Sequence, residues 1–142
     1  MSFYSLSANF IGSVSTRKGS GREVAKEAMA RILSERRRMR VTSVQPVLVE
    51  VTCSGVTTHV IEKAHSLNTS IPPIHFSIKN VTYSAVQGSR SVAYIVRDDH
   101  QQDKFTCYVY ETEEQVDFVL DIFQKAFDTY KKSKLALINS KS

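Results

Sequence analysis

The 142-residue chain has no tryptophan, only two cysteines, only five glycines and no long uninterrupted run of apolar residues. A membrane-spanning helix needs about 20 mostly apolar residues, so the sequence predicts none. The start of the chain, Met1 to Leu6, lacks the basic and apolar regions of a secretory signal, so we expect a cytoplasmic protein. The few glycines form no phosphate-binding loop motif, which argues against a nucleotide-binding enzyme.

The two cysteines, Cys53 and Cys107, both lie within strand-like segments. We expect two buried free thiols, with a disulfide as the less favoured alternative in a reducing compartment. The four histidines are scattered without metal-ligand spacing, and no motif for an activated nucleophile is present. The sequence therefore predicts neither an enzyme nor a metal or cofactor site.

The composition fits one globular domain, because 42% of the residues are hydrophobic and the length is sufficient to bury a core. The formal net charge of +5 suits an anionic membrane surface or an acidic peptide. No aromatic platform accompanies the basic residues, so no nucleic acid is expected as a partner.

Two amphipathic helices are predicted. The first begins at a capping box formed by Ser20 and Glu23 and ends at about Arg38, with an apolar stripe through Ala28 and Ile32. The second runs from Thr112 to about Leu135, with Thr112 and Gln115 as its capping box. Its predicted apolar stripe consists of Val116, Leu120, Phe123, Phe127 and Tyr130.

Strand patterns fill the rest of the chain, separated by turn-forming residues. The segment Glu62–Pro73 is predicted as mostly loop with room for one short strand. The other predicted strands are Ala8–Ser15, Val47–Cys53, Val56–Ile61, Ile78–Val86, Val92–Arg97 and Phe105–Tyr110.

Five of these segments resemble, in order and spacing, the signature stretches of phosphotyrosine-binding (PTB) domains of the Disabled, Numb and Shc type. The likeness covers about residues 8 to 133, although the loop from Glu62 to Ile74 departs from the family's pattern. The segments are Phe10-Ile11-Gly12-Ser13-Val14, Val81-Thr82-Tyr83-Ser84-Ala85, Ala93-Tyr94-Ile95-Val96-Arg97-Asp98, Cys107-Tyr108-Val109-Tyr110-Glu111 and Phe123-Gln124-Lys125-Ala126-Phe127.

The resemblance implies an α+β fold. This fold is a PH-like seven-stranded antiparallel β-sandwich or barrel, with a helix after the first strand and a capping C-terminal helix. The expected domain spans residues 8–135, between flexible tails at residues 1–7 and 136–142.

The resemblance also implies an adaptor that binds Asn-Pro-x-Tyr peptides in cytoplasmic tails by adding the peptide to a sheet edge. The strand at Lys79–Val86 matches the peptide-pairing edge, with Val81, Tyr83 and Ala85 expected to face the core and Thr82 and Ser84 to face outward. An alternative role for Phe123 and Phe127 is core packing alone. The expected peptide-binding residues are Val81, Thr82, Tyr83, Ser84, Ala85, Val86, Phe123 and Phe127.

Arg97 and Lys104 match or lie close to basic positions that phosphate-reading members of the family use. A phosphate requires such cations, because charge-assisted hydrogen bonds hold it. The alternative is a solvated loop pair balanced by neighbouring aspartates. The phosphorylation state of the ligand tyrosine therefore stays open.

A basic run at the end of the first helix, consisting of Arg36, Arg37, Arg38 and Arg40, has two interpretations. Cations near a helix C-terminus stabilise the helix dipole. They also suit a phosphoinositide headgroup, which would place the protein peripherally at the plasma membrane. An alternative function is accordingly a PH-like module whose main ligand is that headgroup.

Overall fold

The computed structural model describes residues 4–52, 54–61, 75–114 and 116–140. Within these residues the chain forms seven strands and two α-helices, with a single turn of 3-10 helix at Ile78–Asn80. The elements in chain order are β1 (Tyr4–Thr16), α1 (Arg22–Arg38), β2 (Gln45–Val51), β3 (Gly55–Val60), β4 (His75–Ser77), β5 (Val81–Gln87), β6 (Ser91–Arg97), β7 (Phe105–Thr112) and α2 (Val116–Ser140).

The strands form one antiparallel sheet in the order β4-β3-β2-β1-β7-β6-β5. Its long central strand, β1, pairs with β2 through its first half and with β7 through its second half. The sheet curls around a core. The evidence is that the Thr58 hydroxyl on β3 lies 3.2 Å from that of Tyr110 on β7, although β2 and β1 separate these two strands in the sheet. The predicted seven-stranded architecture, with a helix after the first strand and a C-terminal helix against the sheet, is confirmed.

Two hydrophobic cores lie on opposite sides of the sheet. The larger core fills the inside of the curl, where α2 contributes Val119, Ile122, Phe123 and Ala126. The smaller core lies under α1 and is formed by Ile11, Ala25, Ala28, Ile32, Ala85, Ala93, Ile95, Cys107 and Val109. Cys107 is a free, buried thiol, whereas Cys53 lies outside the described residues.

The predicted capping box at Ser20 and Glu23 is wrong. Gly21 occupies the N-cap position, none of the described side chains caps α1, and the helix begins at Arg22. The φ angle of Gly21 is 122°, a conformation that glycine adopts without steric cost. The other predicted box depends on Gln115, which lies outside the described residues.

The element boundaries differ from the predictions mainly at the chain ends. Residues Tyr4 to Ser7 were predicted as tail but belong to β1, because their main chain pairs with β2. The first strand therefore begins four residues before the predicted start at Ala8. The second helix begins at Val116 rather than Thr112 and continues to Ser140, so residues 136–140 are helix rather than tail. In the described ranges, neither helix combines the length and the hydropathy that a membrane-spanning segment requires.

The middle of the chain also differs from the prediction. Ile78, predicted as the start of a strand, begins the 3-10 turn, and the strand that follows starts at Val81. The short strand predicted within Glu62–Pro73 lies outside the described residues.

Candidate peptide-binding groove

β5 is an edge strand, because among the described residues it pairs with β6 alone. An edge strand presents unpaired backbone N–H and C=O groups that can bind another extended chain. A cavity of about 250 Å³ lies between this strand and α2. Its lining residues are Ile78, Val81, Thr82, Tyr83, Ser84, Phe123, Gln124 and Phe127.

A β-bulge between Val81 and Tyr83 changes which way the β5 side chains face. Val81 packs in the larger core, whereas Tyr83 and Ala85 pack in the smaller core under α1. The expectation that these three side chains share one face is therefore wrong for Val81, because the extra residue at the bulge shifts the two-residue alternation.

Thr82 lies at the bulge and connects β5 to the turn before α1. Its hydroxyl lies 2.5 Å from the carbonyl oxygen of Gly19 and 3.3 Å from that of Ile95 on β6. The Thr82 side chain was expected to point outward into solvent. It is instead partly buried against this turn.

The two phenylalanines of α2 occupy different depths in the groove. Phe123 is only 5% exposed, and its ring centroid lies 5.6 Å from that of Tyr94. Phe127 is partly buried, with the Lys131 ammonium group 4.7 Å from its ring centroid. Phe123 therefore belongs mainly to the core, and Phe127 forms the accessible apolar wall.

Sequence reasoning missed Gln124 and Ile78 as lining residues of this cavity. Gln124 precedes Phe127 by three residues, so helical spacing alone places both on one side of α2. Its side-chain amide donates a hydrogen bond to Asp128 at 3.0 Å. Ile78 has no comparable signal, because its position depends on the 3-10 turn.

A chain of buried hydroxyl groups supports the groove from below. The hydroxyl groups of Tyr94 and Tyr110 are 2.9 Å apart, and that of Thr58 lies 3.2 Å from Tyr110. Burial raises the pKa of Tyr94 well above its usual value and also raises the pKa of Tyr110. These tyrosines are therefore neutral at physiological pH and hold β3, β6 and β7 together beneath Phe123.

Arg97 lies near the start of β5, outside the set of residues that line the cavity. It is the last residue of β6, and the preceding Val96 pairs with Val81 at the start of β5. Arg97 is half-buried and pairs across the strands with Phe105, next to the exposed Lys104. The two predicted phosphate-binding residues, Arg97 and Lys104, thus lie at the same end of the strand pair formed by β6 and β7.

The nearby aspartates do not form ion pairs with Arg97 or Lys104 in the described part of the chain. Asp98 accepts hydrogen bonds from the backbone N–H groups of His100 and Gln101, at 2.8 and 3.0 Å. The hydrogen bond from His100 makes the largest contribution to lowering the pKa of Asp98, and the hydrogen bond from Gln101 makes the next largest. Asp99 accepts a hydrogen bond from Asn80. The carboxylates therefore order the loop and leave both cations accessible.

The four arginines at the end of α1 separate into different environments. Arg36 donates to the carbonyl oxygens of Ile11 and Ser43, at 3.1 and 2.7 Å. Arg38 forms an ion pair with Glu35, and its hydrogen bond lowers the pKa of that carboxyl group. Arg37 and Arg40 are exposed and form no ion pair with a described carboxylate. Among the four arginines, the side chains of these last two have no ion pair or hydrogen bond with a described residue and can bind an external anion.

The sequence matches the family model of the phosphotyrosine interaction domain (PTB/PID) over residues 6–137. The chain belongs to the PTB/PID family. Members of this family are protein-interaction adaptor modules that bind peptide motifs of partner proteins. The resemblance inferred from the five sequence segments is thereby confirmed.

Solved structures agree with this PTB assignment at the level of the fold. The solution structure of the C-terminal phosphotyrosine interaction domain of APBB2 from mouse superimposes with a TM-score of 0.67 at 15% sequence identity. The alignment covers 87% of this chain and 85% of the mouse domain. No curated protein matches the sequence at a significant level. The fold is thus PH-like, as the resemblance implied.

Proposed function

We propose that this PTB domain binds Asn-Pro-x-Tyr peptides of cytoplasmic tails, which add as an extra strand to the free edge of β5. The observation that carries the proposal is the cavity between β5 and α2, because it combines an unpaired strand edge with an apolar wall. Edge pairing supplies main-chain hydrogen bonds, and side-chain pockets supply specificity.

The proposed peptide lies antiparallel to β5, along Val81–Val86. Its apolar residue upstream of the Asn-Pro turn packs against Phe127, and Phe123 forms the floor of that pocket. This direction places the C-terminal tyrosine of the motif at the start of β5, where Arg97 lies. In this proposal the domain therefore selects an apolar residue through Phe127 and a tyrosine near Arg97.

Phosphorylation of the ligand tyrosine is tolerated rather than required in this proposal. Arg97 and the exposed Lys104 are accessible cations that can accommodate a phosphate. The apolar contact with Phe127 and the strand pairing do not depend on the phosphate. Unphosphorylated and phosphorylated peptides should therefore both bind.

Hydrogen exchange of the domain with and without an Asn-Pro-x-Tyr peptide tests the binding mode. The amides of Val81–Val86 and of the central part of α2 should gain protection. β4, the edge strand at the other end of the sheet, is the internal control and should exchange unchanged. Protection at β4 without protection at β5 would contradict the proposal.

Contact with a phosphoinositide membrane is a second proposal, supported by the exposure of Arg37 and Arg40. Basic residues near an anionic leaflet each contribute about 1 kcal/mol. Such contact would hold the domain at the cytoplasmic face of the plasma membrane, next to receptor tails. The alternative function is a PH-like module whose main ligand is the lipid headgroup. In that case Arg37 and Arg40 would bind the headgroup, and peptide binding would be secondary.

A further inference from the structure

The turn between β1 and α1 contains a serine with two basic residues before it. Its sequence is Arg17-Lys18-Gly19-Ser20-Gly21, and all five residues lie outside helix and strand. The side chains of Arg17, Lys18 and Ser20 are exposed. The Ser20 hydroxyl neither caps α1 nor forms a hydrogen bond within the described part of the chain. The hydroxyl is therefore available to an enzyme from outside.

We propose that Ser20 is a phosphorylation site for a protein kinase that selects basic residues on the amino-terminal side of its target. Such kinases recognise their substrates by charge pattern, with acidic pockets complementary to the basic side chains. Arg17 stands three residues before Ser20, and Lys18 stands two residues before it. The glycines on both sides of Ser20 add no side chain that would obstruct the approach of a catalytic site.

The reaction transfers the γ-phosphoryl group of ATP to the Oγ atom of Ser20. The new bond joins Oγ to phosphorus, while the bond from that phosphorus to the β-phosphate oxygen breaks and ADP leaves. The hydroxyl proton passes to the catalytic base of the kinase. The product carries a charge of about −2 in a turn whose neighbours, Arg17, Lys18 and Arg22, are all cationic.

A second serine, Ser43, also follows arginines, at Arg38 and Arg40, and provides a comparison. Its segment is held by the end of α1. The backbone N–H of Val41 donates to the backbone carbonyl oxygen of Arg36 at 2.8 Å, and the Arg36 side chain donates to the Ser43 carbonyl oxygen at 2.7 Å. Arg38 is itself still helical. An extended conformation there would require unwinding of the helix, so the structure favours Ser20.

The turn is tied to the strand that forms the groove. Gly19, next to Ser20, accepts the hydrogen bond from Thr82 of β5 and packs on the ring of Phe105. This anchoring fixes where the turn lies while leaving the Ser20 hydroxyl exposed. The proposed site itself does not depend on the peptide-binding function.

The test uses the folded domain, ATP and the catalytic subunit of cAMP-dependent protein kinase, with the product mapped by mass spectrometry. We expect phosphate on Ser20, with a kcat/KM within about tenfold of that of a synthetic peptide covering Val14–Ala25, since each tenfold corresponds to about 1.4 kcal/mol. Ser20→Ala should abolish the reaction. Arg17→Ala should slow it at least about tenfold, because it removes a charge-assisted contact to the kinase.

Ser43→Ala is the matched control and should leave the reaction unchanged. Phosphate found on Ser43 in place of Ser20 would overturn the proposal. A rate on the folded domain more than about tenfold below that of the peptide would also overturn it, because the turn would then react only after local opening.

Discussion

The hydroxyl of Thr82 on β5 lies 2.5 Å from the carbonyl oxygen of Gly19, a residue 63 positions earlier in the chain. Gly19 is tightly placed, because a Cβ atom at this position would come within 2.5 Å of the Phe105 ring. This hydrogen bond connects the start of β5 to the turn before α1. It lies at the bulge, where the regular pairing of β5 with β6 is interrupted.

Thr82→Val should lower the free energy of unfolding by about 1 kcal/mol, because the isosteric side chain cannot donate to Gly19. Thr82→Ser is the matched control, since it keeps the hydroxyl. Urea denaturation of the three proteins measures the effect. Equal midpoints and slopes for Thr82→Val and the wild type would show that this hydrogen bond contributes nothing to stability.

Phe127→Ala should weaken an Asn-Pro-x-Tyr peptide by about 2 kcal/mol, or roughly thirtyfold, because an aromatic anchor of a small groove dominates its binding energy. Fluorescence polarisation with a labelled peptide measures this loss. Phe127 is partly buried, so thermal unfolding of the variant must show that it remains folded at the assay temperature.

The matched control for Phe127 is Phe118→Ala on the same helix. Phe118 is 48% exposed and does not line the groove, so its truncation should leave the peptide affinity unchanged. If a folded Phe127→Ala protein binds as tightly as Phe118→Ala, the helix is not the apolar wall for this peptide.

Periodic patterns predicted most of the fold, because they record which side of an element is buried. Val47, Val49 and Val51 alternate in the sequence and are all buried in β2. The bulge at Thr82 could not be predicted in the same way. It coincides with a contact between Thr82 and Gly19, a residue that is distant in the sequence.

The basic run shows the same limit for the candidate site. In the sequence Arg36, Arg37, Arg38 and Arg40 form one cluster, yet Arg36 binds the carbonyl oxygen of Ile11, 25 residues away. Which arginine is used internally depends on how the helix end meets β1. The spacing of the arginines in the sequence therefore predicted a cationic surface. Only the folded geometry shows that Arg36 is bound internally, whereas Arg37 and Arg40 are exposed.

The stability of the domain should fall as the pH rises above about 9, partly because of Cys107. Burial raises the pKa of this thiol from 9.0 to about 12. In this range the unfolded state loses the proton and the folded state keeps it, so stability is complete below pH 9 and falls towards pH 12. The expected slope is about 1.4 kcal/mol per pH unit for this one proton.

Urea denaturation of the wild type and of Cys107→Ala at several pH values isolates that contribution. Other groups, including Tyr94 and Tyr110, titrate in both proteins and cancel in the difference. Cys107→Ala will be less stable near neutral pH, because it leaves a cavity, but its free energy of unfolding should decline less steeply above pH 9. Parallel pH profiles for the two proteins would contradict the assignment of this slope to Cys107.

Arg36→Ala should destabilise the domain by about 2 kcal/mol, since its guanidinium group joins α1 to β1 and to the segment before β2 through two charged hydrogen bonds. Arg37→Ala should have little effect, because that side chain is exposed. Urea denaturation of both variants tests the difference. Equal stability of the two variants would mean that the bridge formed by Arg36 is not significant in solution.

Membrane contact is then best tested with the double variant Arg37→Glu/Arg40→Glu, which leaves the bridge formed by Arg36 intact. It should lose sedimentation with phosphoinositide-containing vesicles while keeping its peptide affinity, because α1 and the β5 groove lie on different sides of the sheet. Binding of the wild type should also weaken steeply with salt, since exposed charges are screened over about 10 Å at 0.1 M. The matched control, Arg22→Glu/Lys26→Glu, makes the same change in net charge at the other end of α1 and should still sediment. Equal loss in both double variants would assign the binding to net charge alone, and wild-type sedimentation of Arg37→Glu/Arg40→Glu would eliminate the lipid site at this helix end.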